Sequence, residues 1–280
     1  MNLVLQGPAA ERAPMAQIAA LAQPAAITQL GPHALRAEGV AFTPELKARV
    51  ELAALSARID ATFIAPGRKL ADFKLVAMDM DSTLITIECI DEIADMQGLK
   101  PQVSEITEAA MRGELDFSAS LTRRVALLKG LDAGALQRVY DERLRISEGG
   151  EAMLAAVRAA GIKTLLVSGG FTFFTERLQQ RLGLDYAHAN VLEIADGKLT
   201  GRVVGGIVDA DEKMRTVQRV CAGMGIDSRQ AIVMGDGAND LRMMGVAGLS
   251  VAFRAKPVVR AQADVALNFT GLDGLVTLLG

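Results

Sequence analysis

Cysteine is nearly absent from this chain: only Cys89 and Cys221 occur, far apart and without metal-ligand spacing. That excludes a disulfide framework and suits a chain kept reduced. An excess of either charge is missing too, with 30 basic residues against 33 acidic ones. No field of one sign is then strong enough to point to nucleic acid or an anionic membrane as a partner. No stretch reaches the roughly 18 uninterrupted apolar residues of a membrane span. The opening "MNLVLQGPAAERAP" lacks the basic start and continuous apolar run of a secretory signal. A soluble, cytoplasmic protein is the expectation.

What is present is a large apolar fraction, 50% of 280 residues, enough for one large domain or two smaller ones. The first 70 or so residues alternate "LVLQG" as a strand, "MAQIAALAQ" and "PELKARVELAALSARI" as helices, and "ATFIAP" as a second strand. The "PGRKLADF" stretch at 66–73, with its Pro-Gly turn and clustered charges, reads as a linker. From Lys74 the pattern changes. "KLVAMD", "IKTLLVSGG", "AIVMGDG" and "GLSVAF" are short apolar runs ending in Gly, Ser or Asp, separated by amphipathic helical segments. That alternation predicts a parallel sheet covered on both faces, with ligands bound outside the carboxyl ends of its strands.

About 80 residues separate the first two of these strands, and they read as consecutive helices: "TIECIDEIADMQG", "VSEITEAAMRG", "DFSASLTRRVALLKG" and "DAGALQRVYDERL". A helical insertion after a strand that ends in carboxylates predicts a cap over an active site, hinged near Thr86 and Glu148. A central Asp196-Gly197 pair in "NVLEIADGKLTGRVVGG" signals a β-hairpin.

Asp79 and Asp81 end the first strand of this region. Two anions so close must share a proton or a cation. A hard divalent cation fits better, because "GDGAND" supplies Asp236 and Asp240 after a later strand, and Mg²⁺ takes carboxylates together with water and phosphate oxygens. A strand-end Asp can also do no more than cap the next helix. Ser168, Gly169 and Gly170 precede a helix, where a hydroxyl and exposed N–H groups can cradle a phosphate. Lys213 can balance the charge of phosphate and carboxylates. His188, Cys89 and the methionines 234, 243 and 244 read as structural.

In this order, "DMDST", "SGG", a downstream lysine and "GDGAND" resemble the four motifs of the haloacid dehalogenase superfamily. "ECIDEIA", "AMRGELDF", "RRVALLKG", "VSGGFTFF" and "MGDGANDL" are similar to segments of its phosphoserine phosphatase family. The likeness covers 74–280, and the first 70 residues resemble a shortened ACT-like domain. It implies an α/β fold: a Rossmann-like parallel-sheet core over 71–85 and 149–280, a helical-bundle cap over 86–148, and a small α+β regulatory domain over 1–70. It further implies Mg²⁺-dependent hydrolysis of O-phosphoserine, the last step of serine biosynthesis. Asp79 would be the nucleophile and Asp81 the acid and base. The metal would be held by Asp79, the backbone carbonyl of Asp81 and Asp236, with Asp240 behind them. Ser168, Gly169, Lys213 and Asn239 would bind phosphate. Glu88 and Arg124 would grip the amino-acid end, Met111 and Phe117 would line the pocket, and Arg123 would face solvent. A homodimer and an amino-acid effector at the N-terminal domain are compatible with this. Two alternatives stand beside it: phosphate transfer to a small alcohol such as homoserine, and a non-catalytic amino-acid sensor on the same fold.

Overall fold

The computed structural model of the chain describes residues 1–7, 12–111 and 114–280. Its N-terminal unit runs β1 (Asn2–Gln6), α1 (Arg12–Leu21), β2 (Ala26–Gly31), β3 (Ala34–Glu38), α2 (Pro44–Ser56) and β4 (Asp60–Ile64). The strands form an antiparallel sheet in the order β2-β3-β1-β4. Thr43 caps α2 by accepting the N–H of Leu46, with Pro44 pre-set in the first turn. Leu3 and Leu5 of β1 pack with Met15, Ile18 and Val50 of the helices. Val4, on the opposite face, joins Ile64 in the larger apolar cluster of the rest of the chain. Strand alternation therefore makes this sheet buried on both sides along β1.

Two features of this unit depart from the sequence reading. The β2–β3 hairpin was not foreseen, because β2 is an edge strand, largely exposed, that carries little apolar pattern. The 66–73 stretch is no open linker: it holds a tight turn at Leu70–Asp72, with Leu70 and Phe73 buried.

The larger unit begins with β5 (Leu75–Met78). A helical segment follows: α3 (Cys89–Asp95), α4 (Lys100–Met111), α5 (Phe117–Leu127) and α6 (Gly134–Arg138), the last continuing into a wider turn at Val139–Arg143. Then come α7 (Gly150–Ala159), β6 (Lys163–Phe171), α8 (Thr172–Leu182), β7 (Tyr186–Ala195), β8 (Lys198–Val204) and α9 (Ala210–Gly223). The chain closes with β9 (Ala231–Gly235), α10 (Leu241–Val246), β10 (Leu249–Phe253), α11 (Pro257–Arg260), β11 (Val265–Leu267) and α12 (Gly274–Leu279).

Among the described residues these strands make one sheet, ordered β11-β10-β9-β5-β6-β7-β8, parallel except for β8 against β7. The fold is α/β. Val76 and Met78 face one core with Leu166 and Met234, while Leu75 and Ala77 face the other with Leu165 and Val233. A strand buried on both faces needs a continuous apolar run, which is why β5, β9 and β10 read as such in the sequence. Met78 of β5 pairs with Leu166 of β6 and with Met234 of β9. This register brings Asp79, Ser168 and Asp236, each within two residues of this trio, to the same end of the sheet.

The helical segment is joined to the sheet by two linkers that pair with each other. Ile85 bridges Ile146, the N–H of Thr86 donates to Arg145 at 3.0 Å, and that of Ser147 donates to Leu84 at 2.9 Å. The β7–β8 hairpin turns at Asp196 and Gly197, both at positive φ. Its far strand supports the helices from the side: Leu199 exchanges backbone hydrogen bonds with Gly130 and Leu131, each 2.8 Å. The N-terminal sheet is anchored by Asp60, 1% exposed, whose carboxylate accepts the N–H groups of Asn268, Phe269 and Thr270. Among the described residues no helix is long and apolar enough to cross a membrane.

Candidate active site

Asp79 leaves β5 with its N–H donating to Met234, which extends the strand ladder by one residue. The chain then makes a wide turn closed by the N–H of Leu84 on the Asp79 carbonyl and that of Ile85 on the Met80 carbonyl. Ser82 sits at φ 55°, a left-handed conformation that costs energy for a side-chain residue and clusters at functional sites. Through this turn Asp79 and Asp81 reach the same cavity, about 540 Å³ in volume. Oδ1 of Asp79 accepts the N–H of Met80 at 2.7 Å and Nζ of Lys213 at 2.8 Å. Oδ1 of Asp81 is sealed from solvent without a hydrogen-bond partner. Burial, then repulsion from Glu88, pushes the Asp81 carboxyl up to about 8.

Ser168 and Gly169 lie at the end of β6. Ser168 is 1% exposed, and its Oγ accepts the N–H of Gly170 at 2.8 Å, which leaves its own O–H to donate. A Cβ on Gly169 would stand 2.8 Å from the Phe117 ring, and one on Gly170 would stand 3.0 Å from Oδ2 of Asp81. Only glycine allows the backbone so close to the cavity. Asn190 holds this turn, donating to the Gly169 carbonyl at 2.7 Å and accepting the N–H of Val208 at 2.8 Å. Asn190 was not foreseen, since a lone Asn inside a strand carries no signal.

Lys213 comes from the first turn of α9, which Asp209 caps at the N–H of Glu212. Its side chain is 0% exposed, and Nζ stands 2.8 Å from Oδ1 of both Asp79 and Asp240. Burial opposes its charge, but the Asp240 and Asp79 carboxylates outweigh that and hold the ammonium above the ordinary lysine range. The other oxygen of Asp240 accepts the N–H groups of Asp236 and Gly237, at 3.2 and 3.1 Å. Both oxygens of this carboxylate are therefore committed, one to Lys213 and the other to the loop after β9. Asp236 accepts the Thr83 hydroxyl at 3.4 Å and borders the cavity, as Asn239 does. Carboxylate oxygens of Asp79, Asp236 and Asp240 lie within 4.8 Å of one another. Hard oxygen donors so gathered, with Asp81 Oδ1 unpartnered beside them, fit a hard divalent cation.

The opposite wall is helical. Glu88 precedes α3 and accepts the Ser82 hydroxyl at 2.6 Å, and Arg124 lies in the last turn of α5 with its buried Nε unpartnered. Phe117 lines the cavity against Gly169, Arg123 is exposed, and the Met111 side chain lies outside the described residues. Asp91 and Lys256 also line the cavity and were not foreseen. Asp91 follows Glu88 by one helical turn, which is a usable signal; Lys256 has none. His188 stands 3.5 Å from Glu212 and does not line the cavity. Cys89 is buried, and burial and Asp81 raise its thiol well above the usual range. Met234, Met243 and Met244 belong to the core.

Residues 76–245 match the family described as haloacid dehalogenase-like hydrolase. The chain is 58% identical over 219 residues to a phosphoserine phosphatase of Polaromonas sp., covering 76% of this chain and 93% of that one. Among solved structures, a haloacid dehalogenase family hydrolase of Salmonella enterica superposes with a TM-score of 0.91 at 34% identity, over 100% of this chain and 99% of the other. A substrate-bound phosphoserine phosphatase complex superposes with a TM-score of 0.70 at 37% identity, over 74% and 99%.

Proposed function

The chain belongs to the haloacid dehalogenase-like hydrolases, in their phosphoserine phosphatase branch, and on that premise we propose that it hydrolyses O-phospho-L-serine to serine and phosphate through an aspartyl-phosphate. One observation carries the reading. One cavity gathers Asp79 and Asp81, which follow β5, with Glu88 and Arg124, which the helices supply. The first pair suits phosphoryl chemistry, and the second suits the ammonium and carboxylate of an amino acid.

With Oδ1 of Asp79 held by Lys213 and the Met80 N–H, the other oxygen attacks phosphorus as the bond from phosphorus to the serine oxygen breaks. Asp81, protonated near neutral pH by its raised pKa, gives its proton to the departing serine oxygen. The resulting carboxylate then takes a proton from the water that attacks the phospho-enzyme, which releases phosphate and restores Asp79. Ser168 donates its O–H to a phosphoryl oxygen, and the Gly169 N–H, Lys213 and Asn239 serve the others. Mg²⁺ would be held by Asp79, the Asp81 carbonyl and Asp236, and would supply charge neutralisation between carboxylate and phosphate. Asp240 orients Lys213 and the Asp236 loop from behind. Arg124 grips the substrate carboxylate with two parallel bonds, and Glu88 takes the ammonium.

We assign the core to 71–85 and 149–280, the cap to 86–148 and an ACT-like unit to 1–70, and place the reaction at the end of serine synthesis. The test is phosphate release from phosphoserine by the purified protein with Mg²⁺, alongside Asp79→Asn. That variant keeps the acceptor oxygen that Lys213 and Met80 use but has lost the nucleophile. It should fold and be inactive; steady-state turnover by it would sink the covalent route.

A further inference from the structure

A phosphate monoester is a dianion near neutral pH, and the cavity it enters is itself acidic. The carboxylates of Asp79, Glu88, Asp91 and Asp236 line it together with the protonated carboxyl of Asp81, against the cations of Arg124 and Lys256. Lys213 adds nothing at the entrance, because it is 0% exposed and already shared between Asp79 and Asp240. Arg124 is half-buried in the helical wall. Lys256 differs from both: it is exposed while lining the cavity.

Its position is set by backbone rather than side chain. The N–H of Lys256 donates to the Asp236 carbonyl at 3.2 Å, its own carbonyl accepts the N–H groups of Val259 and Arg260, and Pro257 follows it at the start of α11. Among the described residues its ammonium makes no ion pair. The charge therefore rides on a flexible stem from a rigid base beside the Asp236 loop. It is felt by two carboxyls, favouring the charged forms of Asp236, in the loop after β9, and of Glu88, just before α3.

We propose that Lys256 draws the phosphate dianion of the substrate into this acidic cavity and so governs productive association rather than the chemical step. The inference rests on the proposed function only in that the substrate is a phosphate monoester. A unit charge acting on a dianion about 10 Å away through water changes association about fourfold. In about 1 M salt the Debye length shrinks to about 3 Å, which removes such an effect.

The experiment measures kcat and KM for wild type, Lys256→Gln and Lys256→Arg from low ionic strength to about 1 M salt. Phosphoserine and para-nitrophenyl phosphate are both used as substrates. Lys256→Gln should lower kcat/KM about fourfold at low ionic strength on both substrates, flatten its salt dependence, and converge on wild type at high salt. Lys256→Arg should keep the wild-type profile. An unchanged kcat/KM, or a loss that persists undiminished at high salt, overturns the proposal, since either means that no long-range attraction is at work. If wild type hydrolyses the aryl phosphate and not phosphoserine, the substrate assignment fails, while Lys256 is still judged on the aryl ester. The side chain is exposed and caps nothing, so matched thermal melts should confirm that the variants fold alike.

Discussion

The ammonium of Lys213 lies 2.8 Å from Oδ1 of Asp79, and the two side chains are only 0% and 7% exposed. An ion pair so enclosed is costly to form, because both charges give up water. It is retained because Asp240 supplies a second carboxylate at the same distance. The outcome is a carboxylate with one oxygen fixed and the other free, as the proposed role of Asp79 as nucleophile requires.

Replacing Lys213 by Met should be severe for stability as well as activity. Removing one partner of a buried pair leaves the other charge uncompensated and costs about 3–5 kcal/mol. Urea unfolding should show a loss of that order, and phosphate release should be abolished. Adding Asp240→Asn should recover part of the stability and none of the activity. A Lys213→Met protein as stable as wild type would contradict the burial of this cluster.

Asp81 predicts a pH dependence for the metal-free protein. Its carboxyl is raised from 3.8 to about 8 in the fold, by burial first and Glu88 second. Between those values the native state holds the proton longer than the unfolded chain, so stability should fall as pH rises through the window. Asp81→Asn should flatten that slope. Urea midpoints in excess chelator across the window give the comparison; parallel curves for wild type and variant would refute it.

Arg124→Lys keeps the charge and removes the fork that can hold a carboxylate through two bonds. The kcat/KM for phosphoserine should drop by about tenfold or more, the worth of one charged hydrogen bond. An aryl phosphate offers no carboxylate and should be much less affected. Equal loss on both substrates would place Arg124 in cap closure or folding.

Chelation should remove activity, and Mg²⁺ should restore it. Ca²⁺ is larger, tolerates more ligands and often takes both oxygens of a carboxylate. At Asp79 that would consume the attacking oxygen, so Ca²⁺ should inhibit competitively with Mg²⁺. The check is a titration of Ca²⁺ against phosphate release at several fixed Mg²⁺ concentrations. Full activity with Ca²⁺ alone would contradict the assignment of that oxygen.

The sequence by itself determined the strands of the larger sheet and the polar clusters at their ends. Both are local: β5 and β9 are continuous apolar runs, and Asp79, Ser168 and Asp236 each follow such a run within a few residues. It also held the hairpin at Asp196-Gly197, where a turn needs two left-handed residues in succession. Only the tertiary structure decided how the clusters meet. The pairing of Met78 with both Leu166 and Met234 joins segments far apart in the chain, and no local pattern encodes that register. The same holds for Asn190 beneath Gly169, and for Lys256, which only folding carries to the cavity that also holds Glu88. The β2–β3 hairpin stayed hidden for a related reason: an exposed edge strand buries too little to need the alternation that a reader can see. Periodicity is written along the chain because each element must bury its own face. Contact between elements is settled only when those faces compete for one core.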